Sequence, residues 1–351
     1  MLKPMTYLAV NQSADALDAL AKDDRAQLLA GGTNLIDEMK LGLQNPQQLV
    51  DINALPLDRI EALPGGGVRI GATVRNSNLA WDATVRKSYP VLSQAILSGA
   101  SPQLRNMATT AGNILQKTRC TYYRDTNYAC NKRTPGSGCA AIDGYNRGHA
   151  ILGTSSQCIA THPSDMCVAL IALDAVVKTT GPHGERSISF ANFHVPYGDD
   201  PARENVLLPG EMITSVDLPA MPWATRSVYV KVRDRASFDF ALASAAVVLD
   251  IQGNTIRQAR VALGGVATKP WRSIDAERAL VGKAATEQTF AAAGLAAVKE
   301  AKPRKFNAFK VELARRTLAV ALSSAAAITD RIDAYQVSPE LYDGTDTPRK
   351  I

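Results

Sequence analysis

From Cys120 to about Gly153 the apolar periodicity that runs through the rest of the chain stops, and Gly, Asn, Pro, Arg and Tyr take over. A stretch that long without regular structure is uncommon inside a compact domain unless it is functional or disordered. Four of the five cysteines (Cys120, Cys130, Cys139 and Cys158) fall within it or just beyond it. Scattered core cysteines rarely cluster in this way, and five in 351 residues are too few for a disulfide scaffold. Any fold for this chain must let a long, cysteine-bearing loop leave a packed body and return to it.

On either side of the loop the patterns are regular. Leu28–Ala30 reads as a strand end that runs through Gly31–Asn34 into a helix over Leu35–Lys40, with acidic residues early and a lysine last. Leu49–Asn53 and the alternating Val68–Val74 read as strands. After the loop, regular structure is expected to resume at Cys158–Ala160. A helix is expected to start at His162, with Pro163 in its first turn, and to run to about Ala175. A strand over Ile213–Leu218 precedes a boundary near 219–224. Ser227–Val232, Leu242–Ile251 and Ala259–Leu263 then predict a three-stranded antiparallel sheet, followed by helices over Ile274–Val281, Gln288–Val298 and Phe309–Ile328. The expected fold class is α+β: an α/β domain over 1–220, in parts 1–55 and 56–220 with the loop at 117–158, a C-terminal domain over 225–330, and a polar tail over 331–351, frayed at Asp343–Ile351.

Composition removes whole classes of function. With 46% hydrophobic and 21% charged residues, disorder and fibrous structure are out. The most apolar helix, around Thr317–Thr329, falls short of the roughly 18 residues a membrane span needs. The net charge of +6 is concentrated: residues 111–150 hold six basic and two acidic side chains. Without sustained basic–aromatic interleaving, a local anionic cofactor explains that charge better than a nucleic acid does. The first residues show neither a secretory signal nor a twin arginine, so the chain is expected to carry no export signal of its own.

Two glycines between a strand end and a helix start, Gly31 and Gly32, suit close approach to a diphosphate, although a plain turn reads equally well. The turn Thr109-Thr110-Ala111-Gly112-Asn113 supplies hydroxyls, small residues and an amide, and its plain reading is a capped loop. The start at His162-Pro163-Ser164-Asp165 adds a third point, where Asp165 either meets ribose hydroxyls or caps its own helix. The cysteine intervals match neither paired zinc ligands nor the tight runs of ferredoxin-type clusters. From residues alone an iron–sulfur cluster, a zinc site and unrelated thiols or disulfides all stay open. Cys167 shares a face with Leu170 and Ile171 and reads as a buried apolar residue. The four histidines form no HxxxH pair, which argues against a histidine metal site.

At AGGTNL (30–35), GASPQLRNMATTAGNI (99–114), HPSD (162–165), LPGEMI (208–213) and KVRDRASFDFALAS (231–244), the chain resembles the FAD-binding subunits of molybdenum hydroxylases. These include the flavin subunits of xanthine and carbon monoxide dehydrogenases. The resemblance covers nearly all of residues 1–330 and implies a two-part FAD-binding domain of the PCMH type. By it, Leu28, Leu29, Ala30, Gly31, Gly32, Thr33, Asn34 and Leu35, with Thr109, Thr110, Ala111, Gly112 and Asn113, hold the FAD diphosphate. Ser164 and Asp165 meet the ribose, and Ile213 and Lys231 lie near the flavin ring. Ala111 stands where many relatives have a second glycine.

The runs Thr118–Ala141 and Cys158–Asp165 resemble those of a subset of these subunits, serving periplasmic aromatic aldehyde oxidoreductases, whose cysteine insertion binds a [4Fe–4S] cluster. That implies Cys120, Cys130, Cys139 and Cys158 as ligands. It also implies partners: a large molybdopterin subunit, a small [2Fe–2S] subunit that passes electrons to FAD here, and a small-molecule or protein acceptor. Phe238 stands where NAD-reducing relatives tend to carry an acidic residue nearby, so NAD is not expected to be the acceptor. Location is then periplasmic by co-export with a partner subunit, or else cytoplasmic. Two other readings remain, a stand-alone flavin oxidoreductase and a zinc-stabilised scaffold without redox chemistry.

Overall fold

The computed structural model describes residues 3–329; the tail expected at 331–351 lies outside them. Three strands open the chain: β1 (Thr6–Ala9), β2 (Ala26–Leu29) and β3 (Gln48–Asp51). They form a parallel sheet in the order β1-β3-β2. Parallel pairing needs crossovers, which the helices Ser13–Lys22 and Leu35–Lys40 provide. Val10, Ala16, Ala19, Val50 and Leu55 close this small core.

The second sheet is antiparallel and non-local. Its strands β4 (Ile60–Ala62), β5 (Val68–Gly71), β6 (Val176–Gly181), β7 (Gly184–Ser189) and β8 (Met212–Leu218) lie in the order β4-β5-β8-β6-β7. The pairing of β5 with β8 sets Arg69 opposite Asp217, where they form an ion pair at 2.8 Å. Helices Pro90–Leu97 and Asp165–Ala172 fill the core beside this sheet with Leu92, Ile96, Val168 and Leu170.

The third sheet holds four strands rather than three. β9 (Ser227–Val232), β10 (Ala243–Gln252), β11 (Thr255–Gly264) and a two-residue β12 (Trp271–Arg272) run antiparallel in the order β12-β11-β10-β9. Along β10 the faces alternate: Ala243, Ala245, Val247 and Leu249 pack on the C-terminal helices, whereas Ala246 and Val248 join the core of the preceding domain. Burial on both faces explains why this strand reads as a continuous apolar run rather than as an alternation. The helices Ile274–Leu280, Glu287–Ala297 and Phe309–Ala327 cover the outer face.

Three local expectations need correction. Cys158–Ala160 forms no strand. The helix after the loop starts at Asp165, not His162: Ser164 caps it by accepting from the Cys167 N–H, so Pro163 stays outside the first turn, and the helix ends at Ala172. The cysteine loop is not structureless. It carries helical turns at Thr121–Arg124 and Ala140–Asp143, and Arg133 ties it together by donating to the carbonyls of Tyr122 (3.0 Å) and Tyr123 (2.7 Å).

Candidate functional site

The glycine loop after β2 and the turn at 107–113 are built against each other. A Cβ on Gly31 would lie 2.0 Å from the Met107 carbonyl oxygen, and Gly32 holds φ at +70°. Arg75 staples the two loops, donating to the Met107 carbonyl and to Asn53 Oδ1 (2.9 Å), while Asn53 Nδ2 donates to Ala30 O (3.0 Å). Thr109 caps the short helix Thr110–Ile114 by accepting from Gly112 N at 3.3 Å. The buried Thr110 hydroxyl donates to Val74 O at 3.1 Å.

Beside these loops lies a cleft of about 520 Å³. Of the expected residues, Thr33, Asn34, Gly112, Asn113, Asp165 and Lys231 line it. Gly31, Gly32, Thr109 and Thr110 shape its frame, and Leu28, Ala30 and Ala111 pack into the neighbouring cores. Leu29 and Leu35 are half-buried on either side of the glycine loop. Ile213 sits in the core opposite Thr179 of β6, and the structure does not bring it to the cleft wall. Ala100 and Phe238, two of the three described non-glycine residues with left-handed backbone, also line the cleft. Such strain persists only where the surroundings impose it, often at ligand sites.

Asn34 tests whether the cleft fits a nucleotide. Its Oδ1 accepts from Lys117 N at 2.8 Å, but its buried Nδ2 has no partner and lies in the cleft wall. A buried amide donor without an acceptor costs roughly 1–3 kcal/mol, and a small rotation of the Asn34 side chain would bring it to an oxygen-bearing ligand such as a phosphate or ribose.

Asp165 is held from two sides. Tyr229 OH donates to its Oδ1 at 2.6 Å, and Lys231 Nζ donates to its Oδ2 at 2.8 Å and to Ser98 O at 3.1 Å. The partners expected to meet separate parts of the cofactor therefore bind each other. Burial pushes the Tyr229 phenol well above its usual pKa, which keeps it a donor to the carboxylate.

A second cleft of about 420 Å³ lies beside the first, sharing Arg119, Pro163, Asp165, Asp239 and Phe240 with it. Cys120, Arg147, His149 and Ser164 extend its wall. Arg119, whose guanidinium lies 5.5 Å from the Phe240 ring centroid, stands where the two chambers meet. Arg119, Arg147, Tyr229 and Phe240 were not singled out as site residues in the sequence. Only the local excess of positive charge signalled the arginines.

The loop gathers its cysteines. Cys130 and Cys139 face each other in an antiparallel bridge, Cys139 hydrogen-bonds Cys158, and Cys158 packs with Ala160, Tyr197 and Cys120. All five thiols are free. The Ala160 N–H donates to Cys158 Sγ at 3.5 Å, and the Ile142 and Tyr123 N–H groups donate to the carbonyls of Cys139 (3.2 Å) and Cys120 (3.1 Å). The neighbouring Cys158 pulls the Cys139 thiol down and is itself pushed up by Cys139, whereas burial pushes Cys120 up to about 11. Four free thiols brought together by one loop are a donor set that a metal cluster could take up as thiolates.

Cys167 lies outside this group. It is buried beside the half-buried His162 and the buried His194, whose Nε2 atoms are 3.2 Å apart, a contact that the absence of an HxxxH pair did not disclose. Burial holds both imidazoles neutral, with His194 pushed down to about 4.

A cradle assembled from strand-to-helix turns, with a second chamber against the C-terminal sheet, defines a flavin-binding protein of the molybdenum hydroxylase type. Residues 3–221 match the FAD binding domain in molybdopterin dehydrogenase, and residues 228–326 match the CO dehydrogenase flavoprotein C-terminal domain. The chain belongs to this family of FAD-binding subunits, and its fold is the α+β fold with a PCMH-type FAD domain. It is 51% identical over 329 residues, 93% of this chain and 99% of the relative, to the aldehyde oxidoreductase FAD-binding subunit PaoB of Escherichia coli strain K12. Identity to the glyceraldehyde dehydrogenase medium chain of Sulfolobus acidocaldarius is 28%, over 79% of this chain and 81% of that one. Among solved structures, reconstituted CO dehydrogenase from Oligotropha carboxidovorans superposes with a TM-score of 0.74 at 26% identity, covering 94% of this chain and 100% of its own.

Proposed function

We propose that this chain is the FAD-binding, electron-transferring subunit of a molybdenum-containing aldehyde oxidoreductase complex, and that its cysteine loop holds a [4Fe–4S] cluster. The observation that carries the reading is the adjacency of two chambers: a nucleotide-sized groove shares five lining residues with a second cleft whose wall includes Cys120. Thr33, Asn34, Gly112 and Asn113 line the part of the groove that would take the diphosphate, and the Asp165–Lys231–Tyr229 group fixes another part of its wall. Bound FAD would supply a two-electron store between partner and acceptor. The protein's own part is to hold that group, to exclude water from it with Phe240 and Met166, and to place positive charge from Arg119 beside it. Cys120, Cys130, Cys139 and Cys158 would ligate the cluster, whose negative charge the basic loop offsets.

Substrate chemistry belongs to a molybdopterin partner subunit, with [2Fe–2S] centres of a small subunit delivering electrons. Full-length similarity to an aldehyde oxidoreductase FAD-binding subunit supports this assembly. Among the described residues no helix is long and apolar enough to cross a membrane. Export bound to a partner that carries the signal is the localisation this reading favours.

The acceptor is proposed to be oxygen, a quinone or a small electron carrier rather than NAD. Phe238 is half exposed at the cleft mouth, and its carbonyl accepts from Arg235. The side chain therefore offers no carboxylate to a nicotinamide nucleotide.

Flavin, iron and molybdenum analysis of the co-purified complex, with its visible spectrum, tests the assignment. One FAD and about four iron atoms per chain are expected. A flavoprotein without iron or partners would instead support a stand-alone oxidoreductase, and a colourless zinc protein would make the chain a scaffold.

A further inference from the structure

His149 Nε2 lies 3.1 Å from Cys120 Sγ, with the residue 7% exposed. Its main chain is clamped. The N–H donates to Asn146 O (3.0 Å), and the carbonyl accepts from Asn307 Nδ2 (3.3 Å) and from the buried Lys310 Nζ (3.1 Å). Lys310 also donates to Gly148 O (3.0 Å) and Gly265 O (2.7 Å), so the C-terminal domain holds this corner of the loop. The ring is thus aimed at the sulfur by anchors that do not involve the cysteines. A cluster-bound thiolate only accepts hydrogen bonds. The ring presents a proton to it in the Nε2–H tautomer, and Nδ1, which is buried with no hydrogen-bond partner, does not hold the proton elsewhere.

We propose that His149 is a positioning residue of the redox site: its Nε2–H donates to the sulfur of Cys120 and sets the reduction potential of the cluster. The inference rests on Cys120 being a ligand of a [4Fe–4S] cluster, as proposed above. A donor to a ligating sulfur draws off electron density and favours the reduced, more negative state, which raises the potential. The Ala160 N–H on Cys158 Sγ acts in the same sense, but His149 is a side chain and can be removed. Its position gives the effect a direction, because Cys120 and His149 both stand in the wall of the chamber beside the FAD groove.

The test is an EPR-monitored redox titration of the intact purified complex, with iron content measured in parallel. His149→Leu should keep its iron and shift the oxidised-to-reduced ratio about tenfold toward the oxidised form at fixed potential, which is about 59 mV for a one-electron couple. His149→Gln, which retains an amide donor, should recover part of that shift. An unchanged midpoint in an iron-replete His149→Leu protein overturns the proposal. If that variant loses iron, pulsed EPR of the reduced wild-type protein labelled with 15N-histidine decides. A histidine nitrogen coupling that disappears in His149→Gln supports the bond, and its absence from the wild type overturns it. Wild-type protein without iron would remove the cluster assignment itself, an outcome distinct from an unshifted potential.

Discussion

Gly31 and Gly32 are adjacent, yet the structure needs them for different reasons. Gly31 lets the Met107–Ala108 backbone pass where a Cβ would clash, and Gly32 supplies a left-handed turn with Ile36 close by. Gly32→Val should therefore distort the loop and release most of the FAD, read as the flavin-to-protein ratio after gel filtration. Gly42→Ala serves as a control, since φ is +73° there but no atom lies within 4 Å. It should cost about 1–2 kcal/mol of stability and keep its flavin. Asp165 carries a second prediction at this scale. With Lys231 buried against it at 2.8 Å, Asp165→Leu leaves an ammonium unpaired and should destabilise the protein by about 3–5 kcal/mol. Adding Lys231→Met should restore part of that loss, measured as urea midpoints of the single and double variants.

At the scale of elements, the cysteine loop is held by its own polar groups as well as by whatever it binds. Asn131 Oδ1 accepts from Gly138 N at 2.7 Å, and Lys132 bridges Pro201 O and Glu204 Oε1, each at 2.7 Å. Serine at Cys120, Cys130, Cys139 or Cys158 should each lose iron, because a hydroxyl is a poor replacement for a thiolate ligand. Cys167→Ser, on the other side of the Ser164 cap, should leave iron unchanged. Iron per chain by mass spectrometry separates the two outcomes, and iron retained by Cys158→Ser but lost from Cys167→Ser would refute the ligand set. The loop's borders were legible because its composition differs so sharply from its flanks. Its internal turns were not, since four-residue helices leave no periodic signal.

For the whole molecule, buried histidines predict the response to acid. His162 and His194 are kept neutral in the fold, so between about pH 6.5 and 4 the unfolded chain binds protons that the folded chain does not. Stability from these groups is therefore full above about pH 6.5 and is lost as pH falls toward 4. The loss is about 1.4 kcal/mol per pH unit for each imidazole. Urea midpoints measured from pH 7 to 4.5 should show this decline, and His194→Gln should flatten it. At the same scale, reoxidation of the reduced complex followed by stopped flow should be slower with NAD than with oxygen or a quinone. Equal rates would place the protein with the NAD-reducing dehydrogenases.

The ordered series of short motifs determined the family, the glycine turns and the position of the cysteine insertion, because each depends on local backbone demands or on residue chemistry written in consecutive positions. The C-terminal helices and most strands of the last sheet were legible for the same reason: their periods are local. The β5–β8 pairing, the hidden β6–β7 hairpin and the Asp165–Lys231–Tyr229 group were decided only by tertiary structure. So were the His162–His194 contact and the seat of His149 on Cys120. Apart from the hairpin, whose strands are neighbours in the chain, each joins residues 29 to about 150 positions apart, and no local pattern specifies which distant partner will be buried opposite.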